Sequence, residues 1–272
     1  MVTGVSLFAL MDAMSKLLAV SQPLGQIVWA RYAFALPIVA AVARPAAWPS
    51  LLRVASPGLQ FVRGLLPVLA SFAVVAGLAL LPLAEVTALT FASPLVVVAL
   101  SVPLLGERVS RHDWLGVLAG FAGILIIVRP GAGAIAWAAL LPLACAVCFA
   151  LFQLTSRMVG RNDSAAASLT WTIMVGLAVT TPLLLLDWRA PSPLGWALLA
   201  GSGLCFGLAQ LCLAAAFRHA PAALLAPFTY TQIVPAVLLG FVLFGAVPDV
   251  WAALGTAVVI GAGLYVLHRR SG

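Results

Sequence analysis

Apolar residues run along this chain in blocks long enough to cross a bilayer, and polar residues are confined to short breaks between them. Counted against the ~20 residues that span a hydrocarbon core, the blocks predict ten transmembrane helices. They fall near 2–20, 25–43, 59–80, 84–104, 114–128, 134–157, 165–187, 194–217, 221–244 and 250–267. The longest polar connections, 44–58 and 106–113, are too short to fold alone, so no soluble domain is expected. Prolines inside the blocks, among them Pro37, Pro67, Pro94, Pro103, Pro142 and Pro235, each remove a backbone donor and predict kinked helices.

One stretch returns further along. Ser93-Pro94 opens a span that ends in Leu105-Gly106-Glu107-Arg108 and is followed by Trp114-Leu115-Gly116; Tyr230 to Gly245, then Leu254-Gly255, keeps the same order. Laid out without a gap, Gly106 falls on Gly245, Gly116 on Gly255, Leu104 on Leu243, Thr90 on Thr229, Ala84 on Ala223 and Pro82 on Pro221. The match predicts two copies of one five-span unit, at 1–129 and 134–268,. An odd number of spans turns the second copy upside down relative to the first. The expected fold class is therefore an all-α integral membrane protein with ten transmembrane helices in two inverted five-helix repeats. Many secondary transporters share that plan, with a midplane site where the halves meet and rock.

Composition excludes a water-soluble domain: 64% of the residues are hydrophobic, 8% are charged and the mean hydropathy is +1.17,. The net charge of +7 comes from arginine and from Lys16, placed between apolar runs instead of in one basic patch, so nucleic acid is excluded as a partner and the cations report topology,. With the amino terminus inside, the cytoplasmic side collects Arg44, Arg53, Arg63, Arg108, Arg111, Arg157, Arg161, Arg218, Arg269 and Arg270, while the outer side receives Lys16, Arg129 and Arg189. A multi-pass protein of the bacterial inner membrane with both termini cytoplasmic is expected. Val5 to Leu10 reads as part of the first span, not as a signal core, because no basic segment precedes it,.

Enzyme chemistry finds little support. Cys145-x-x-Cys148 has redox spacing, yet Cys145, Cys148, Cys205 and Cys212 all lie inside apolar runs, where small apolar filler is the competing reading to an intramembrane thiol oxidoreductase,. Ser202, between Gly201 and Gly203, has no general base within reach, since His112, His219 and His268 fall at span edges,. No phosphate-binding loop of the Walker type occurs,. No cofactor and no metal is expected.

The candidate substrate-binding residues are Asp12, Trp29, Arg31, Tyr32, Gln153, Trp171, Gln210, Tyr230 and Gln232. Asp12 falls at mid-depth of the first span, where a charge is costly unless paired or wetted. Lys16, four residues on, shares its helix face and is one partner; Arg31, about two turns into the second span, is another. Arg31 is placed either to bind a substrate carboxylate or to pair with Asp12. Trp29 and Tyr32 share a face of the second span, and Trp171 holds a position in the second half similar to that of Trp29, so that aromatic walls from both halves suit a flat apolar solute,. Interfacial tryptophan is the alternative. In the ninth span Thr229, Tyr230, Thr231 and Gln232 stand between Pro227 and Pro235. Four consecutive polar side chains cannot all face lipid cheaply. Gln153 and Gln210 add amides, and Glu85 reads as an interfacial charge near a helix N-terminus or, alternatively, as a proton-coupling acid,.

The Gly106-Glu107-Arg108 turn with its flanking spans, inside ten spans of two like halves, resembles the EamA-type transporters of the drug/metabolite transporter superfamily. Almost the whole chain takes part in the resemblance. The second half departs from it, reading Gly245-Ala246-Val247-Pro248 without the acid and carrying Ile233 where Pro94 stands in the first half. The resemblance implies a central cavity lined by spans 1–4 and 6–9, peripheral spans 5 and 10, and export or exchange of small metabolites. Length and aromatic content are also similar to the YddG-like exporters of aromatic and other hydrophobic amino acids. The expected partners are thus the lipid bilayer and a small solute, an amino acid first, a sugar or nucleobase second. Monomer and homodimer are both compatible with the sequence.

Overall fold

A computed structural model describes residues 2–42, 51–105, 111–128, 137–159, 163–219 and 230–271, and among these every regular element is helical. The helices are α1 (Val2–Leu18), α2 (Leu24–Ala33), α3 (Leu36–Val42), α4 (Pro57–Leu80), α5 (Leu83–Thr90), α6 (Ser93–Leu105), α7 (Arg111–Val128), α8 (Leu140–Val159), α9 (Ala165–Thr180), α10 (Pro193–His219), α11 (Ile233–Phe244) and α12 (Val250–Ser271), with a short 3-10 turn at Pro182–Leu185. The Gly106-Glu107-Arg108 turn, Pro221, Ala223, Pro227 and Thr229 lie outside the described residues.

Two of the ten expected spans are each built from two helices. α2 and α3 form one, broken at Phe34 and Ala35; α5 and α6 form the other, broken at Phe91 and Ala92. Pro37 and Pro94 are the cause, each standing second in the helix that follows the break. Without an N–H, neither continues the i to i−4 ladder, and the ring crowds the preceding turn. Pro67 and Pro103, by contrast, lie inside α4 and α6 without ending them. Such interruptions shorten the rods. Among the described residues three helical stretches are long and apolar enough to cross a bilayer, Pro57–Leu80, Ala166–Leu185 and Pro193–Cys212, and five more are apolar but shorter. Their outward faces carry Leu69, Leu118, Phe121, Leu204, Leu238 and Phe241 exposed, a surface that only lipid covers without penalty.

The helices of the two halves interleave. The most extensive contacts are those of α7 with α12, α1 with α10, and α4 with α8 and α9; α10 also packs on α2, α6 on α8, α11 on α1 and α5, and α9 on α2. Every one of these pairs joins the first half of the chain to the second. Small residues set the close approaches: a Cβ on Gly203 would collide with the Ala30 carbonyl and Phe34, and one on Gly64 with Val175,. α7 and α12 sit at the edge. Trp114, Leu118 and Phe121 on one, and Trp251 and Leu254 on the other, are exposed. They are joined through Gly123 and Gly255, where a Cβ on either glycine would lie 2.9 Å or 2.6 Å from the other's carbonyl oxygen.

Candidate functional site

α1 and α2 meet around the charge that the first span carries in its middle. Arg31 Nη2 donates to Asp12 Oδ1 at 3.2 Å and to Ser15 Oγ at 2.8 Å, and the Ser15 hydroxyl donates back to the Met11 carbonyl at 2.8 Å. Arg31 is 2% exposed and Asp12 8%. A charge this deep persists only with its partner in place. The Arg31 Nε is buried with no acceptor. Of the two readings open for Arg31, pairing with Asp12 is the one realised in this conformation.

Lys16 takes no part in that pair. Its Nζ donates to the carbonyls of Leu78 and Leu81, both at 2.6 Å, at the carboxyl end of α4. The reason lies one residue further on: Pro82 has no N–H, so the Leu78 carbonyl lacks the helical partner it would otherwise have. A cation at a helix carboxyl end is favourable in its own right. The Phe244 ring of α11 faces the same ammonium at 5.6 Å, and the Glu85 carboxylate acts on it electrostatically. Lys16 thus ties α1 to α4 at the end of the bundle that carries the α1–α2 turn.

The aromatic candidates separate into groups. Tyr32 meets Phe206 of α10 edge to face at 5.5 Å, and Phe206 meets Phe8 of α1 at 6.4 Å. Its ring lies on Gly176 of α9, where any Cβ would collide with it. The Tyr32 hydroxyl lies beside Ser71 without a well-formed hydrogen bond. Trp29 is turned instead toward Phe34 at 6.3 Å and Trp188 at 6.4 Å, in a cluster that Trp196 completes. Tyr230 packs on Phe91 of α5 at 5.3 Å and against Gly263 of α12, and its hydroxyl is buried and unpaired. Trp171 is half-buried, with its indole N–H enclosed and unpaired. Gln153, Gln210 and Gln232 are half-buried on α8, on α10 and just before α11. The structure therefore brings Asp12, Arg31 and Tyr32 together, and places Trp29 in a separate aromatic cluster.

Sequence reading missed a second polar network. Arg63 on α4, counted there only as a topology cation, donates from Nε to Ser156 Oγ at 2.8 Å and from Nη1 to the Ser168 carbonyl at 2.9 Å and Thr172 Oγ1 at 3.0 Å, with its guanidinium over the Phe152 ring at 4.7 Å. Gln60, one turn earlier, donates to Asp163 Oδ2 at 2.8 Å and Ser168 Oγ at 3.1 Å, while Asp163 Oδ1 accepts the Ala55 amide at 2.8 Å. The available signal was spacing: Gln60 and Arg63 share a face of α4, as Ser168 and Thr172 do of α9. This network fastens α4 to α8 and α9. Among the described residues no three His, Cys, Asp or Glu side chains group as a metal site. The four cysteines are free thiols and Cys145 is buried in the core.

Comparison with known proteins gives this arrangement its setting. A riboflavin transporter of Rhizobium johnstonii is 30% identical over 215 residues, covering 79% of this chain and 71% of that protein. The S-adenosylmethionine uptake transporter of Rickettsia prowazekii is 25% identical over 263 residues, covering 95% and 88%. A pseudopaline exporter of Pseudomonas aeruginosa is 28% identical over 267 residues, covering 97% and 93%. The profile of the EamA-like transporter family matches the chain twice, at residues 1–129 and 136–267. Two matches that together take in nearly the whole length, on interleaved apolar helices around a buried charge pair, make the chain a multi-pass membrane protein belonging to the EamA-like transporter family.

Proposed function

We propose that the protein is a secondary transporter that carries a small metabolite with an aromatic ring across the bacterial inner membrane by alternating access around Asp12 and Arg31. One observation carries this reading: at the buried charge pair Arg31 Nε has no acceptor, and the Tyr32 hydroxyl of the next residue is buried without a well-formed partner. An unpaired buried donor costs about 1–3 kcal/mol. Two side by side at the charge pair are an expense that a bound solute with acceptors removes. The opposite charges of Asp12 and Arg31 match the two ends of a zwitterion, and the surrounding rings match a flat body.

The inverted five-helix repeat, with units 1–129 and 134–268, is part of the proposal. Exchanging first-half spans for second-half spans turns the contact of α1 with α10 into that of α8 with α4, and the contact of α2 with α10 into that of α9 with α4. Both of these contacts between the halves have their counterpart, as a two-fold relation requires,. Because the halves interleave, they do not rock as two separate bodies. The moving units are α1–α3 with α10 and α11, and α4–α6 with α8 and α9. The orientation with both termini cytoplasmic rests on the cation asymmetry.

As to cargo, relatives carrying riboflavin and S-adenosylmethionine by name favour a solute with a fused heteroaromatic ring, and the second of these also bears an amino-acid zwitterion. Aromatic amino acids, of which tryptophan alone carries a fused heteroaromatic ring, are the alternative cargo. Direction is not set by membership, since an uptake transporter and an exporter are both similar to this chain. Counterflow into proteoliposomes with labelled riboflavin, S-adenosylmethionine, tryptophan, phenylalanine and glucose tests it. Exchange of at least one aromatic solute, without ATP and without glucose exchange, is expected. Exchange of glucose alone, or none, sinks the cargo class.

A further inference from the structure

We propose that a second solute site, separate from the Asp12–Arg31 pair, lies in a vestibule at the α1–α2 end of the bundle and takes an uncharged or zwitterionic heteroaromatic solute through an amide edge. The inference rests on the transporter reading above and adds to it a docking station between the centre and that face of the bundle.

A cavity of about 510 Å³ opens between the α1–α2 turn and the segment that links α9 to α10, with Gln22, Gly25, Phe72, Leu183, Asp187 and Arg189 in its walls. That volume suits a small organic molecule. Its walls are held before any solute arrives. The Gln26 side chain grips the backbone of Arg189 from both sides, donating to its carbonyl at 3.0 Å and accepting its N–H at 3.2 Å. Trp188 is anchored beside Trp29 and Trp196, at 6.4 Å and 6.1 Å between ring centres. Asp187 and Arg189, on either side of that anchor, are presented at the rim with 3.8 Å between carboxylate and guanidinium. Fixing the walls in advance removes an ordering cost that binding would otherwise carry.

The polar groups define the ligand. Acid and base at the rim cancel, so a strongly charged ion gains nothing over its hydration, whereas a neutral donor and acceptor pair finds a complement in each. Gln22 is 8% exposed, and its Oε1 is buried without a donor. An amide or imide edge carries both an N–H and a C=O, and the Gln22 side-chain amide, turned toward the cavity, pairs with both and satisfies an atom now unpaired. Phe72, Leu183 and the Cβ-free edge of Gly25 offer an apolar bed for a flat ring,. Riboflavin has such an imide edge on a fused ring and is the probe of choice.

The test is riboflavin binding to the full-length protein in nanodiscs, read by flavin fluorescence polarisation, in the wild type, Gln22→Leu, Leu186→Trp and Arg31→Gln. Leu186 also lines the vestibule and is 81% exposed, so tryptophan there fills the space without disturbing the core. Loss of about tenfold in affinity for Gln22→Leu, the scale of one good hydrogen bond, and a larger loss for Leu186→Trp are expected. Wild-type affinity in both variants, with binding lost only in Arg31→Gln, overturns the vestibule and leaves the transporter reading standing. No binding of riboflavin by the wild type overturns the vestibule, and the cargo class then stands or falls with the counterflow result.

Discussion

Replacing Arg31 by leucine is expected to abolish transport and to destabilise the fold. The substitution leaves the Asp12 carboxylate buried with its cation gone, and breaking a buried pair in this way costs about 3–5 kcal/mol. Folded yield and the thermal midpoint in detergent should both fall. Asp12→Asn is milder for the fold, since the amide can still accept from Arg31, but it removes the negative end of the site and should reduce transport of every zwitterionic solute alike. The informative variant removes both charges. Asp12→Leu with Arg31→Met restores an apolar, self-consistent contact between α1 and α2, so it should regain yield while transport stays absent. Recovery of transport along with yield in the double variant means the pair is only a structural tie. Proteoliposome flux, normalised to folded protein by size-exclusion peak area, separates the two outcomes.

The second large effect is expected at the α7–α12 seam. Gly255→Val places its side chain where the Gly123 carbonyl now stands, with the Cβ alone 2.6 Å from that oxygen. Two helix backbones must move apart, and overpacking of this kind costs about 3 kcal/mol. In a membrane, where no hydrophobic effect drives helices together, that contact is most of what holds α12 in place. Folded yield should drop several-fold, while the fraction that folds keeps its solute affinity, because α7 and α12 lie outside the charge pair. Gly120→Leu repeats the experiment against Leu95 of α6, with which any Cβ at that position would collide. Normal yield with much weaker binding in either variant would bring the seam into the solute path.

The apolar blocks announce nearly every helix, because the cost of an unpaired backbone in lipid leaves the chain few alternatives. What they hide is where a rod breaks. Pro37 and Pro94 stand at breaks whereas Pro67 and Pro103 lie inside continuous helices, a difference that the residue type alone does not carry. A carbonyl that a proline does orphan finds its partner only in the tertiary fold: that of Leu78, before Pro82, is claimed by Lys16 from another helix. That long-range bond is also why the face shared by Asp12 and Lys16 misleads. Spacing of four allows a pair, yet each residue is better served elsewhere, Asp12 by Arg31 and Lys16 by α4. Trp29 and Tyr32 share a face by spacing, and α10 crosses so close at Gly203 that one ring goes to the Trp188 cluster and the other to Phe206. Arg63 looks in sequence like any cytoplasmic cation. Its role emerges only when α8 and α9 bring Ser156, Ser168 and Thr172 around it.

Alternating access around the charge pair is most directly tested at Ser15, which touches Arg31 at 2.8 Å and is fully buried. In a chain with Cys145, Cys148, Cys205 and Cys212 changed to alanine, Ser15→Cys supplies a single thiol at the centre. Membrane-impermeant thiol reagent is applied to oriented proteoliposomes from one face and then, in a separate sample, from the other, with and without saturating riboflavin. Alternating access predicts modification from both faces, each slowed by solute. Modification from one face only, whatever the solute, or from neither, would contradict it.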